Sequence, residues 1–199
     1  MSIDTPPTRR GRPGYDREDV LRIAVGLFNE QGYDATSVAD LAERLGLTKS
    51  ALYHHFRSKE EILGIALETA LSGLERALSD AAAAPAAAEQ LEAVIAGAVE
   101  VLIAELPSVT LLLRLRGNSD VERLALDRRR LLDHRVTAIV RTAQEEGAIR
   151  DDIDAAVATR LIFGTINSLV EWYRPDGSED AASITRDVLT VALDGLRSR

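Results

Sequence analysis

Between Ser37 and Phe56 the chain carries two helix starts and one helix stop, set so close together that only short helices fit between them. Ser37 is followed three residues later by Asp40, a capping-box-like pair, with Thr36 as an alternative N-cap. Val38, Leu41, Ala42 and Leu45 then recur at the i, i+3, i+4, i+7 spacing of an amphipathic helix, and Gly46 supplies the stop. Thr48 caps a second short helix that runs to about His55. Two short helices joined by a tight glycine-containing turn form a helix-turn-helix pattern, predicted over 37–56.

The flanks continue the helical reading. A first helix starts at Asp16, carries Val20, Ile23, Ala24, Leu27 and Phe28 on one face, and stops at Gly32. Ser58 and Glu61 make the capping box of a fourth helix, with Ile62, Ile65 and Ala66 facing inward. The alanine-rich stretch broken by Pro85 reads as a connection between helices. Further helices are predicted at about 89–105, 108–116, 119–146, 153–173 and 180–197, with breaks at Pro107, Gly117, Gly147 and the Pro175/Gly177 pair. Alternating strand patterns are absent, so the expected fold class is all-α.

Composition narrows the chemistry. The chain has no cysteine, which excludes disulfides, thiolate metal sites and cysteine nucleophiles and suits a reducing cytoplasm. The N-terminus lacks the apolar core of a signal peptide, and no window approaches the roughly 20 apolar residues of a membrane span. A cytoplasmic protein with no membrane partner is therefore expected. The net charge of −8 is unevenly spread: up to Glu60 there are nine Lys/Arg and nine Asp/Glu, leaving 15 and 23 beyond it. Two windows, one with Arg9, Arg10 and Arg12 and one with Lys49, Arg57 and Lys59, contain no acid. The first third can present a positive face although the whole chain cannot.

His54 and His55 are adjacent, and adjacent residues on a helix diverge by about 100°. They cannot share a metal ion comfortably, which calls for i, i+4 spacing, and the third histidine, His134, is remote. No catalytic constellation, metal site or cofactor is expected. On the second short helix Lys49, Ser50, Tyr53 and His54 share one arc, and Ala51, Leu52, His55 and Phe56 the opposite one. The first arc can enter a DNA major groove while the second packs inward. The plainer alternative leaves His54 as a solvated surface residue and His55 as a hydrogen bonder at the helix end.

The run GYDATSVADLAERLGLTKSALYHHFRSKEEIL resembles the DNA-binding domain of TetR-family transcriptional regulators, over about the first third of the chain. The resemblance implies a recognition helix over Thr48 to His55. Base contacts are expected at Lys49, Ser50 and Tyr53 and phosphate contacts at Thr36, Ser37, His54, His55 and Lys59, with Thr48 as a further DNA-binding residue at the start of the helix. The resemblance also implies three parts: a flexible basic arm (1–15), a helix-turn-helix DNA-binding domain (16–76), and a helical effector-binding and dimerisation domain (77–199). Arg10 and Arg12 in the arm lie in an Arg-Gly-Arg-Pro run that resembles the core of AT-hook minor-groove binders; a plain basic tail is the alternative.

In the last two-thirds the predicted helix 153–173 is apolar around much of its circumference, with Arg160, Gly164, Asn167, Ser168 and Glu171 in a narrow polar stripe. Such a helix is buried on more than one side, and the family pairs its last two long helices with those of a twin to form a two-fold dimer. Arg128 and Arg129 border the inward stripe of the helix 119–146. They either snorkel or pair with acids such as Glu122 or Asp133, or they join Arg114 or Arg116 in gripping a ligand's phosphates or carboxylate. Phe163, Asn167 and Trp172 fit a pocket, and Phe163 and Trp172 fit a plain core equally well.

The segments LLLRLRGN and NSLVEWYRPDG are similar to parts of TetR-type repressors that respond to CoA thioesters. That similarity implies an acyl-CoA effector, phenylacetyl-CoA being one candidate. An apolar drug-like or lipid effector, and a DNA-binding protein without any ligand, remain as alternatives. The expected function is a homodimeric repressor released from a palindromic operator by a small molecule.

Overall fold

A computed structural model describes residues 15–195, and the expected arm with Arg10 and Arg12 lies outside the described residues. Every regular element among the described residues is a helix. The N-terminal unit consists of α1 (Arg17–Gln31), α2 (Val38–Leu45) and α3 (Lys49–His55). Its boundaries follow the caps read from the sequence. Asp16 accepts from the Asp19 amide at 2.7 Å, Ser37 and Asp40 complete a reciprocal capping box, and Thr48 accepts from the Ala51 amide at 3.1 Å. Gly46 takes φ 62°, and its amide donates to the Ala42 and Glu43 carbonyls; this left-handed turn is what allows α3 to start directly after α2.

From Ser58 the chain enters α4 (Lys59–Ala81), a rod of 23 residues and about 34 Å. The domain boundary expected at 76–77 falls inside this helix. Nothing between Leu71 and Ala81 can stop it except Gly73, while Leu71, Leu78 and Ala81 prolong its buried stripe. The α4 helix therefore belongs both to the helix-turn-helix unit and to the domain beyond it.

The second layer contains α5 (Ala87–Ala104), α6 (Leu106–Leu113), α7 (Asp120–Glu145), α8 (Ala155–Asn167), α9 (Leu169–Trp172) and α10 (Ala181–Asp194). The break expected at Pro107 falls between α5 and α6, with Pro107 itself in the first turn of α6, where its missing N–H costs nothing, and α6 leaves α5 at 105°. The predicted helix 153–173 divides at Ser168 into α8 and α9. One continuous core runs from Val20 in α1 through Leu63 and Leu71 in α4 to Leu91, Val140 and Ile162.

A glycine sets how closely α4 and α5 cross. A Cβ built on Gly97 would stand 2.7 Å from the Ala77 Cβ and 3.5 Å from its Cα, so backbone as well as side chain must shift. Gly97→Ala should therefore destabilise the protein by about 1–3 kcal/mol despite its better helix propensity. Urea unfolding checks this, and an unchanged midpoint would mean that the two helices separate at no cost.

Candidate nucleic-acid interface and effector pocket

The α3 helix is fastened from behind. Leu52 and Phe56 are each 2% exposed in the core, and Arg17 of α1 stacks over the Phe56 ring at 4.6 Å while its Nε donates to the His55 carbonyl at 3.3 Å. The same guanidinium reaches Glu61 at 3.2 Å, and the other oxygen of that carboxylate accepts from the Arg57 amide. Fixed in this way, α3 turns Lys49, Ser50, Tyr53 and His54 to the outside, with Thr48 and Ser37 exposed beside them; His55 is half-buried at the edge. Tyr53 stands 51% exposed, an aromatic ring unsupported by the core.

Two of the expected phosphate contacts have their polar atoms bonded within the protein. Thr36 is 1% exposed and donates its hydroxyl hydrogen to the Gly32 carbonyl at 2.8 Å, so it closes the turn after α1. Lys59 is turned inward. Its Nζ donates to the carbonyls of Tyr33 at 2.8 Å and Thr36 at 3.0 Å, and lies 4.1 Å from the centroid of the Tyr33 ring. Those carbonyls follow α1 and have no helical partner, which is why the ammonium points at them rather than at solvent. Tyr33 itself packs edge-on against Phe28, and burial, with Glu60 close by, raises its hydroxyl pKa well above the ordinary tyrosine value.

Between α4, α5, α6, α7 and α8 lies an apolar cavity of about 60 Å³. Leu78, Val94, Leu102, Leu112, Val136 and Phe163 form much of its wall, and its polar lining comes from Arg129, Asp133 and Asn167. The structure thus brings Arg129, Phe163 and Asn167 together at the cavity and places the other expected ligand residues elsewhere. Arg128 points to α4, donating to Glu75 at 2.9 and 2.8 Å and to Glu68 at 2.5 Å. The acids it meets are these two rather than Glu122 or Asp133, because α4 lies alongside that face of α7. Arg114 donates to the Asn29 carbonyl at 2.7 Å, satisfying an end carbonyl of α1. Arg116 is exposed beside the α1–α2 loop, and Trp172 is 52% exposed and contributes neither to the cavity nor to the core.

The role of Glu122 differs from the ion pairing that the sequence suggested for it. Glu122, 3% exposed, gathers the amides of Arg116, Gly117 and Asn118 at 3.1, 2.7 and 3.1 Å on a single carboxylate oxygen. Its own amide donates to Ser119 Oγ, so Ser-x-x-Glu at the start of α7 was the available signal, but a usual capping box would return the carboxylate to the Ser119 amide. The loop so folded reaches back to α1–α2, with Asn118 Nδ2 donating to Asp34 at 2.6 Å and Asn29 Nδ2 to the Pro107 carbonyl at 2.8 Å. The helix-turn-helix unit is thus tied to the cavity-bearing layer through this loop as well as through α4. Among the described residues no cluster of three or more His, Cys, Asp or Glu could hold a metal ion, and no single helix is long and apolar enough to cross a membrane.

Comparison with known proteins places both halves. A family model described as "Bacterial regulatory proteins, tetR family" matches residues 20–64, and one described as "Tetracyclin repressor-like, C-terminal domain" matches residues 84–196. The chain is 29% identical to the HTH-type transcriptional repressor KstR2 of Rhodococcus jostii, over 98% of each protein. It is 26% identical to the fatty acid metabolism regulator protein of Bacillus subtilis, over 96% of this chain and 100% of that one. The crystal structure of a TetR transcriptional regulator family member from Streptomyces coelicolor superposes with a TM-score of 0.84 at 44% identity, covering 99% of this chain and 94% of that one.

Proposed function

The chain belongs to the TetR family of bacterial regulatory proteins, DNA-binding regulators of transcription rather than enzymes, and from that premise we propose that it is a homodimeric, cytoplasmic repressor that leaves a roughly palindromic operator when an acyl-CoA thioester binds. The observation that carries the reading is α4. It leads from Ser58, just beyond α3, to Leu74, Ala77 and Leu78 in the cavity wall, so a displacement at one end is transmitted to the other as a rigid shift. An effector that binds better when α4 is displaced lowers the population of the DNA-fitting form.

Recognition rests on α3. Lys49, Ser50 and Tyr53 reach base edges, and Ser37, Thr48, His54 and His55 lie where phosphates flank the groove. Dimerisation accounts for a group of apolar side chains left exposed among the described residues. Val157 and Leu161 on α8 and Val191 on α10 are 42%, 61% and 67% exposed, and α8 and α10 pack against one another, so their outer faces form one patch for a second copy. An acyl-CoA effector is favoured by an apolar cavity with an arginine at its polar edge, and by similarity to regulators named for steroid and fatty-acid control. The volume of about 60 Å³ is less than half that of an apolar cavity that admits benzene, roughly 150 Å³. A short aliphatic acyl group therefore fits better than a phenylacetyl group.

Mobility-shift assays on the DNA upstream of its own gene, with and without short-chain acyl-CoA thioesters, test the reading. The expected result is a specific complex dissolved by thioester; a complex indifferent to every thioester rejects the effector class. In the same assay Lys49→Ala should narrow the gap between operator and unrelated DNA by about 10-fold or more, the discrimination carried by one good base contact. A proportional loss on both DNAs would move Lys49 to the phosphates.

A further inference from the structure

The polar end of the cavity continues into a second depression. Arg129, Asp133, Phe163 and Asn167 line both, and beyond them the surface between α7 and α8 opens into a groove of about 340 Å³. Its positive charges are Arg129 and Arg130 from α7 and Arg160 from α8, His134 of α7 adds an imidazole, and Asp133 is the sole acid lining it. The helical register explains the convergence. Arg129, Arg130, Asp133, His134 and Thr137 recur at the spacing of one α7 face, Arg160, Gly164 and Asn167 form the facing stripe of α8, and Thr137 joins the helices by a 3.2 Å hydrogen bond to Thr159. Gly164 has open space where a Cβ would stand, which keeps the groove wide.

Cavity and groove make opposite demands on a ligand. The cavity is apolar, and an ionised group placed in it loses several kcal/mol of hydration. The groove offers three guanidinium groups, whose planar donors match phosphate oxygens two at a time. We propose that the α7/α8 groove, through Arg129, Arg130, His134 and Arg160, binds the phosphate-bearing head of an effector whose short apolar end fills the cavity. This rests on the effector reading above and adds to it a location for the head, on the outer surface rather than in the α6–α7 region that contains Arg114 and Arg116.

Asp133 is the acid that lines the groove beside Arg129, Arg130, His134 and Arg160. Desolvation raises its carboxyl pKa, and the neighbouring Arg129, His134 and Arg160 offset part of that rise. A phosphate takes over these partners. Arg130 is shared with Asp127 one turn earlier, an exposed pair that solvent screens and that a phosphate can replace.

The test compares wild-type protein with the double variant Arg130→Ala/Arg160→Ala, both positions being exposed and outside the cavity wall. Direct binding of butyryl-CoA and of butyryl-pantetheine, which lacks the nucleotide and its phosphates, is measured by calorimetry on the full-length protein, with thermal unfolding to verify the fold. The double variant should bind butyryl-CoA about 10-fold more weakly, a change of about 1.4 kcal/mol, and butyryl-pantetheine with unchanged affinity. Arg130→Lys/Arg160→Lys should recover part of the loss. Wild-type binding of butyryl-CoA that the alanine variant retains in full overturns the groove site and leaves the effector reading standing. Absence of wild-type binding to either compound overturns both.

Discussion

Glu122→Ala is expected to lower stability by about 3 kcal/mol, among the larger effects of a single substitution. The carboxylate oxygen that accepts from the Arg116, Gly117 and Asn118 amides is removed at a site where the residue is 3% exposed. Hydrogen bonds to a charged group contribute about 1.5–3 kcal/mol each, and donors left buried without a partner add a penalty. The total falls short of three full bonds because the opened loop readmits water. Glu122→Gln keeps a neutral acceptor in the same place and should cost about 1 kcal/mol. Urea unfolding of the two variants gives the comparison, and a Glu122→Ala midpoint close to wild type would show that the loop is held by other contacts. The loss should reach the DNA as well, because Asn118 of the same loop bonds Asp34 beside the helix-turn-helix. Operator affinity measured well below the unfolding temperature should fall in Glu122→Ala and be nearly preserved in Glu122→Gln.

Lys59→Ala should destabilise the protein by about 2–4 kcal/mol, the sum expected for two charge-assisted bonds to carbonyls and a stacked cation, part of which solvent supplies on removal. Its effect on DNA separates two roles that the sequence alone merges. A lysine on a phosphate contributes a released counterion, so its removal reduces the slope of log affinity against log salt by about 1. An ammonium already bound to the Tyr33 and Thr36 carbonyls releases none. The expected outcome is therefore a lower unfolding midpoint and weaker operator binding with the wild-type salt slope. A slope flattened by about one unit, with stability unchanged, would return Lys59 to the DNA backbone.

The reading of α3 from its sequence and its place in the structure agree because both depend on local geometry. Thr48 fixes where the helix begins, the turn of about 100° per residue fixes which side chains share an arc, and Leu52 and Phe56 must face the core. Once those two are buried, Lys49, Ser50, Tyr53 and His54 have only the outside to occupy. Similar reasoning located the ends of α1, α2 and α7, each marked by a capping side chain. A change of role along α4 leaves no trace in helix propensity, so the expected boundary at 76–77 lies within that helix, and the break read at Pro107 falls between α5 and α6.

The cations show the limit. Arg114, Arg128 and Arg129 were candidates for a ligand's phosphates or carboxylate, and Lys59 was one for a DNA phosphate. Their long stems let the charged end reach several neighbouring elements, and only the crossing of helices far apart in sequence selects among them. The structure gives Lys59 to the carbonyls after α1, Arg114 to the end of α1 and Arg128 to Glu68 and Glu75 of α4. It leaves Arg129 at the mouth of the cavity, and Arg160, from a helix about 30 residues further along the chain, lines with it the groove beyond. The sequence by itself determined the helices, their caps and the outward face of α3, all consequences of interactions within a turn or two. The tertiary structure alone decided which positive charges are spent inside the protein and which remain for a partner, since that depends on where the acids and carbonyls of other helices come to rest.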